Sequence, residues 1–324
     1  MWLPNFILPR NPAYVLAALA LGVALDYAYP YHSGIALKIH PVHTAYFMAK
    51  ALGRPGDSRL KGAAVWAAVM ATHLTAYGAA LYLAWVASPL AWVLVAAYVL
   101  KVSASLKLLV RTVEGVAEAA ARGDWAEARS LTQGIVRRDV ASLSKPHVLS
   151  AAAESLAESL VDGFTSPLLY YAFLGPLGAL AQRLANTLDG ALGFKSGGYE
   201  DVGWVSAKAD TVMNYVPARL TAALLLLVAS ATMRRGEGGL RQAAACWLKN
   251  ARKTESVNAG HPMSALAAAL GITLEKPGHY RLECGGRLPT VGDLRAGVSV
   301  VKRSAMAWLG LTAALAYAAS AAHP

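Results

Sequence analysis

The chain has 324 residues, 56% of them hydrophobic and only 15% charged, whereas soluble domains carry about a quarter charged residues. That balance excludes an ordinary soluble globular domain and predicts an all-α, polytopic integral membrane protein. The formal net charge of +11 comes with no zinc-finger, RNP-type or basic-helix pattern, so nucleic acid is not expected as a partner and the positive charge is read as membrane topology.

Six apolar runs are candidate membrane segments: 14–25, 63–87, 90–110, 164–184, 216–233 and 305–319. Spanning takes about 20 residues, so the second and third are long enough alone and the first and last are short. The first has Arg10 ahead of it and no small-residue cleavage site, and reads as a retained segment rather than a removed signal. Ser88-Pro89 marks a tight turn between the second and third. The fourth holds Pro167, Gly175, Pro176 and Gly178, which predicts a broken or re-entrant element, tolerated where protein or water surrounds it. The expectation is five to six segments, one of them broken, in a single membrane-embedded domain. Its polar loops 26–62, 111–163, 185–215 and 234–303 would build the site.

Loops 26–62, 111–163 and 234–303 hold five, six and twelve Lys and Arg residues. This bias predicts that they share the cytoplasmic face of a cell membrane. Strict alternation would put 186–215 on the other face, and a re-entrant fourth segment would bring it back. Within the loops, 114–134 reads as a helix interrupted at Gly123-Asp124, with Asp124 capping its second half. Ser144 suits the N-cap of a helix over 147–161. Beyond Gly271 the pattern loosens into Pro- and Gly-punctuated turns until a helix resumes at Asp293. Cys246 and Cys284, 38 residues apart without a metal-ligand spacing, are expected as two unrelated thiols.

Several constellations can carry chemistry. Glu154, Glu158 and Asp162 fall at i, i+4 and i+8 on one helical face, a carboxylate row that calls for Mg²⁺ or arginines unless it is simply solvated. Arg137, Arg138 and Asp139 precede it; paired arginines grip phosphate or anchor to anionic lipid equally well. His40 and His43 form an HxxH beside Asp26 and Tyr27, fitted to substrate contact or proton transfer more than to metal, since Pro41 intervenes and a third ligand is missing.

The densest stretch is 186–219. It carries Asn186, Asp189, Lys195, Tyr199, Asp201, Asp210, Asn214 and Arg219 between strongly apolar segments. Its glycines and Lys195 lack the GxxxxGK[ST] spacing, yet a Gly-rich turn bearing Lys can cradle phosphate through backbone N–H groups. Asp210 and Asn214 are four apart on one helical face, and Arg219 reaches phosphate or snorkels. Arg252, Asn258 and His261 lie in the polar loop 250–262, uninformative by itself.

Taken in order, HPVH at 40–43, IVRRD at 135–139, ESLAESLVDGFTSPLLY at 154–170, RLANTLDGALGFKSGGYEDVGW at 183–204, MNYVPARLTA at 213–222 and ARKTESVNAGHPMSALAAALG at 251–271 resemble the adenosylcobinamide-phosphate synthase family, membrane enzymes of late cobalamin biosynthesis. The resemblance spans roughly 20–300. It implies a carbon–nitrogen ligase joining the propionate carboxylate of cobyric acid, a corrinoid, to (R)-1-aminopropan-2-yl phosphate or a related amino alcohol phosphate, with ATP as co-substrate and Mg²⁺. Three positions depart from the family pattern: Asp26 is followed by Tyr27-Ala28-Tyr29 in place of a GDP triplet, His43 stands where Arg is usual, and Ala157-Glu158-Ser159 replaces AEN.

On this reading Glu154, Glu158, Asp162, Asp189 and Asp201 would hold Mg²⁺, and His40, His43 or an acid would take the ammonium proton. Arg137, Arg138, Asn186, Lys195, Tyr199, Asp210, Asn214, Arg219, Arg252, Asn258 and His261 would bind substrate and phosphate. Other membrane enzymes of the pathway are expected neighbours. The competing readings are a transporter, for which a broken helix beside charges speaks, and a corrinoid-binding scaffold.

Overall fold

The computed structural model describes residues 3–232 and 239–322. The described residues hold thirteen α-helices, a π-turn and one two-stranded hairpin. Five helical stretches are long and apolar enough to cross a membrane: Arg59–Ala87, Pro89–Ala121, Lys145–Leu192, Trp204–Thr232 and Val291–Ala321. Helix α1 (Pro12–Ala28), the first expected run, is apolar but shorter. The chain is an all-α polytopic membrane protein. Its contacts divide it into two compact units: Met1–Ser105, Asp162–Met213 and Leu309–Pro324 form the first, and Leu106–Val161 with Asn214–Trp308 the second.

The first unit opens with α1, the short α2 (Gly34–Lys38) and α3 (Pro41–Leu52), followed by α4 (Arg59–Ala87) and α5 (Pro89–Ser103). The turn expected at Ser88-Pro89 is present: Ser88 Oγ accepts from Ala91 N at 3.1 Å and Pro89 opens α5 without needing a donor. Helix α1 packs on α5, with Gly22 so close to Ala97 that a methyl group there would sit 3.0 Å from its carbonyl oxygen. Without a hydrophobic drive between helices in lipid, such small-residue contacts hold the bundle. Ala45 and Ala49 of α3, Val65, Val69 and Met70 of α4, and Val99 of α5 pack on Leu180, Leu184, Leu188 and Leu192. Leu83 and Val86 of α4 and Leu90 and Leu94 of α5 face outward, as lipid-exposed side chains would.

The third expected run, 90–110, is not one helix. Helix α5 stops at Ser103, Ala104–Leu106 is non-helical, and α6 (Lys107–Ala121) begins in the second unit. The freed backbone finds a tertiary partner, Ser105 N donating to Gly163 O at 2.8 Å. Here α8 (Lys145–Leu160) runs through a π-turn at Val161–Thr165 into α9 (Ser166–Leu192). The fourth run is broken as expected, at Gly175, whose φ of 61° and ψ of −160° interrupt α9. A side chain there would put Cβ 2.0 Å from Ile7 O, so only glycine fits.

The segment expected as a loop over 186–215 is helical at both ends, because α9 runs to Leu192 and α10 (Trp204–Thr232) starts at Trp204. Met233, the last residue of the fifth expected run, lies outside the described residues. The intervening turn is pinned: Gly56 N donates to Gly198 O at 2.7 Å, and a Cβ on Gly62 would meet Val202 O at 2.1 Å.

In the second unit α6 and α7 (Trp125–Gln133) flank the expected break at Gly123-Asp124, where Asp124 Oδ1 accepts from Glu127 N at 2.9 Å. Ser144 stands at the N-cap of α8, its hydroxyl paired with His147 Nδ1 at 2.7 Å. After α11 (Gly239–Asn250) and α12 (Gly260–Leu270) the expected irregular turns are instead an antiparallel hairpin, β1 (Thr273–Lys276) with β2 (Tyr280–Glu283). Gly278, at φ 76°, supplies its left-handed turn residue. The chain resumes as α13 (Val291–Ala321). Cys246 of α11 and Cys284 beyond β2 are joined in a disulfide, their Cα atoms 5.7 Å apart, which corrects the expectation of two unrelated thiols. The sequence separation is silent on this; α11 and the hairpin create the proximity. Asn250, fully buried, bonds Glu283 N and O at 3.1 and 3.2 Å beside the bridge.

Candidate functional site

Charged and polar side chains gather in the first unit where two helices are interrupted. Lys101, in the last turn of α5 and only 5% exposed, points its ammonium at His32, 2.8 Å from Nε2. Asp26 of α1, 6% exposed, lies close enough to Lys101 to act on it electrostatically, and its Oδ1 accepts from Ser105 Oγ at 2.8 Å. The His32 and His40 rings meet edge to face at 4.4 Å. Arg183 of α9 sends Nη1 towards Asp162 O at 3.5 Å and Asn186 Oδ1 at 3.4 Å, two long bonds, and Asn186 Nδ2 donates to Asp210 Oδ1 at 3.2 Å. One connected group thus draws on α1, α3, α5, α9, α10 and the π-turn. Ionisable groups at such depth are costly unless they have work to do.

The histidines here stay neutral. Burial pushes His40 down to about 3, helped by His32, Lys101, Arg183 and His43. His32 is lowered by burial and then Lys101, with Asp26 opposing. His40 caps α3, its Nδ1 accepting from Val42 N at 3.2 Å, so the ring proton belongs on Nε2. Such an imidazole donates a hydrogen bond well and accepts a proton poorly. His43 lies against Phe47, 4.7 Å between centroids, half-buried on α3.

The Gly-rich turn forms a second grouping in this unit. Lys50 donates to Tyr199 Oη at 3.0 Å and lies 5.2 Å above the Phe194 ring. Arg59 pairs with Asp201 at 2.8 Å, both exposed, and covers Trp204 at 5.5 Å. Asp189 folds back over Gly193, where an added Cβ would lie 1.9 Å from Oδ1. Lys195 is exposed on the turn.

In the second unit Glu154, 4% exposed, accepts three bonds: Ser150 Oγ at 2.7 Å on Oε1, and Arg138 Nη2 at 2.9 Å and Tyr280 Oη at 2.7 Å on Oε2. Ser150 in turn accepts from Glu275 N at 2.8 Å, so the hairpin is stitched to α8. Burial and the Glu154 charge raise the Tyr280 phenol far above its ordinary value, leaving it a firm donor. Arg138 sits in a turn held by Gln133 and Ser155. Glu158 and Arg137 are exposed, and Asp139 caps its own turn through Ala141 N at 2.9 Å.

Arg219, Asn258 and His261 also come together in this unit. Arg219 stacks 3.4 Å from the Tyr215 ring centroid and reaches Asn258 Oδ1 at 3.3 Å. His261 accepts from Trp247 Nε1 at 3.2 Å and is pushed down to about 4 by burial, Arg219 and Arg252. Arg252 is exposed and Asn214 is buried on α10.

Two of the five acids expected to hold Mg²⁺ are engaged by protein donors. Asp162 stands inside the π-turn, Glu154 accepts from three protein donors, and Asp201 pairs with Arg59 while staying exposed. Among the described residues no group of three or more His, Cys, Asp or Glu side chains is placed to hold a metal ion. The five therefore do not fit one preformed Mg²⁺ site.

Sequence reasoning missed Lys101 and His32, quoted Arg183 without giving it a role, and missed the partners Lys50, Arg59, Ser150 and Tyr280. Lys101 and Arg183 were detectable as cations inside apolar runs. The partners were not, because only tertiary packing brings them in.

These features define a polytopic α-helical membrane protein with an ionisable cluster at the interruption of its helices. Residues 19–308 match the model of the CobD/Cbib protein family, and the chain belongs to that family, the one its motifs resemble. It is 48% identical over 288 residues to the probable cobalamin biosynthesis protein CobD of Aeropyrum pernix, covering 89% of this chain and 88% of that one. It is 32% identical over 275 residues to the protein of the same name from Thermoplasma volcanium, at 84% and 88% coverage. The cobalamin biosynthesis protein CobD of Dehalococcoides mccartyi is 40% identical over 188 residues, 56% of this chain and 59% of that one. No solved structure matches.

Proposed function

We propose that this protein acts in cobalamin biosynthesis as an ATP-dependent carbon–nitrogen ligase, joining cobyric acid to an amino alcohol phosphate such as (R)-1-aminopropan-2-yl phosphate. One observation carries the reading: in a chain of this family, Lys101 and Asp26 are buried where α5 ends, and His40 feels the charges of both Lys101 and Arg183, the latter bonded to Asn186 and through it to Asp210. Charged groups of both signs at that position are suited to charged substrates, and purely structural helices have no use for them.

The chemistry sets what the residues must do. A carboxylate is a poor electrophile, so ATP first transfers a phosphoryl or adenylyl group to it. The amine then attacks the acyl carbon, the phosphate or AMP departs, and the original ammonium nitrogen has given up two of its three protons, keeping one as the amide N–H. His40, held neutral, orients an oxygen through Nε2–H, and a carboxylate beside it takes the proton. Arg138, Lys195 and Arg219 remain phosphate-binding proposals, and no step depends on a protein-held Mg²⁺ ion. The site faces the cytoplasm of the cell membrane, in keeping with the basic loops.

The test is product formation. Detergent-purified protein incubated with cobyric acid, aminopropanol phosphate, ATP and Mg²⁺ should yield a corrinoid whose mass has risen by one amide linkage, and none without ATP. Uptake of corrinoid into proteoliposomes with no product would replace the ligase by a transporter; corrinoid binding with neither activity would leave a scaffold.

A further inference from the structure

The cluster of the first unit has a charge pattern that discriminates among the substrates. Lys101 and Arg183 supply two cations, and Asp26, Asp162 and Asp210 three carboxylates, while His32 and His40 stay neutral. A polyphosphate would meet more acids than bases here. The carboxylate of cobyric acid needs a cation but has no use for three acids. A short molecule with an anionic phosphate at one end and an ammonium at the other matches both halves.

The geometry is arranged for such a molecule. Lys101 binds His32, is only 5% exposed, and among the described residues makes no carboxylate salt bridge at contact distance, although Asp26 acts on it electrostatically. Among the described residues Arg183 makes hydrogen bonds only through Nη1, both near the distance limit, to a backbone oxygen and an amide. The charges of Asp162 and Asp210 act on it from beyond contact distance, and its planar fork suits bidentate phosphate contact. The neutral His40 adds a donor that does not repel a cation. The break at Ala104–Leu106 and the π-turn at Val161–Thr165, joined by Ser105 N to Gly163 O at 2.8 Å, place irregular backbone here, as membrane proteins do around ligand sites.

We infer that this cluster is the binding site for a phosphate ester of a short amino alcohol, with Lys101 and Arg183 taking the phosphate and Asp26, Asp162 and Asp210 facing the ammonium. The assignment rests on the ligase reading for the identity of the ligand, and it gives binding roles to Lys101 and Arg183. The same chemistry occurs in a phosphoethanolamine lipid headgroup, and the site is assigned to the soluble substrate.

Calorimetric titration of the detergent-purified full chain, without ATP or corrinoid, tests this. Aminopropanol phosphate should bind at least about tenfold more tightly than inorganic phosphate or free aminopropanol, a difference of about 1.4 kcal/mol. Arg183→Gln and Lys101→Gln should each weaken it at least about tenfold while corrinoid binding persists, which shows the variants folded. Asp210→Asn should weaken the amino phosphate and spare inorganic phosphate. Unchanged affinity in folded Arg183→Gln and Lys101→Gln, with wild-type turnover intact, would overturn the site and leave the ligase standing. Wild-type binding without amide product would sink the ligase and leave the site. Competition by phosphatidylethanolamine in nanodiscs but not by aminopropanol phosphate would assign the cluster to lipid and overturn the proposal.

Discussion

Two buried charge groups, one in each unit, are built in opposite ways. In the second unit Glu154 is surrounded: Ser150, Arg138 and Tyr280 each donate to it within 2.9 Å. In the first, Arg183 holds its two partners at 3.4 and 3.5 Å, and Lys101 rests on an imidazole. A carboxylate with both oxygens taken has little left to offer a ligand and a great deal to offer the fold. Cations with long or neutral partners have the reverse balance. Both groups include residues of the family motifs, so motif membership alone does not separate a residue that holds the protein from one that holds a substrate.

The comparison breaks first at Glu154. Glu154→Ala leaves Arg138 buried without its counter-ion and Tyr280 without its acceptor, a loss of about 3–5 kcal/mol, read as a large fall in Tm in detergent. An unchanged Tm together with a weakened Mg²⁺ dependence would make Glu154 a ligand after all.

Next is the tie that fixes the hairpin on the same side of the comparison. The Cys246–Cys284 bridge closes a 38-residue separation, for which chain entropy gives about 3–4 kcal/mol. The double Cys→Ser variant should melt lower by that amount, and reductant should reproduce the shift in the wild type only. Insensitivity of the wild type to reductant would remove the bridge from the account.

The neutral histidines give a pH signature. His40 and His261 are held down to about 3 and about 4, against 6.5 when unfolded. Below 6.5 the unfolded chain binds protons that the folded chain refuses, so their contribution is complete above 6.5 and is lost as pH falls towards those values. A Tm measured against pH should decline over that window, and His40→Gln should flatten it. A Tm that rises on acidification would reverse the assignment.

The smallest effect belongs to the exposed Arg59–Asp201 pair. Asp201→Asn should change stability by no more than about 1 kcal/mol, less in high salt. A larger, salt-independent loss would mean that the Gly-rich turn is held from this residue.

Much of this was legible in the sequence. Alanine-rich apolar runs gave the spans, Pro176 and Gly175 announced the broken helix, and Asp124 and Ser144 marked helix starts through their capping chemistry. The break at Ala104–Leu106 was hidden because no Gly or Pro marks it; Ser105 leaves the helix to bond Gly163, a partner 58 positions away. The strands Thr273–Lys276 and Tyr280–Glu283 are four residues each, too short for alternation to stand out from turns. The π-turn after Leu160, which holds the third acid of the carboxylate row, was not legible in the sequence either. His40 was visible as an HxxH member, but its neutrality comes from burial and from distant cationic and imidazole neighbours that no spacing reveals.

The most direct measurement is a thermal melt of the wild type, Arg183→Gln and Glu154→Gln, each with and without saturating aminopropanol phosphate. At about a hundredfold excess over Kd the wild type should gain about 2.7 kcal/mol. Arg183→Gln should keep the ligand-free Tm and lose that gain; Glu154→Gln should melt lower and keep it. The opposite pattern, with Arg183→Gln unstable yet fully responsive and Glu154→Gln stable yet unresponsive, would contradict the division between a binding cluster and a structural one.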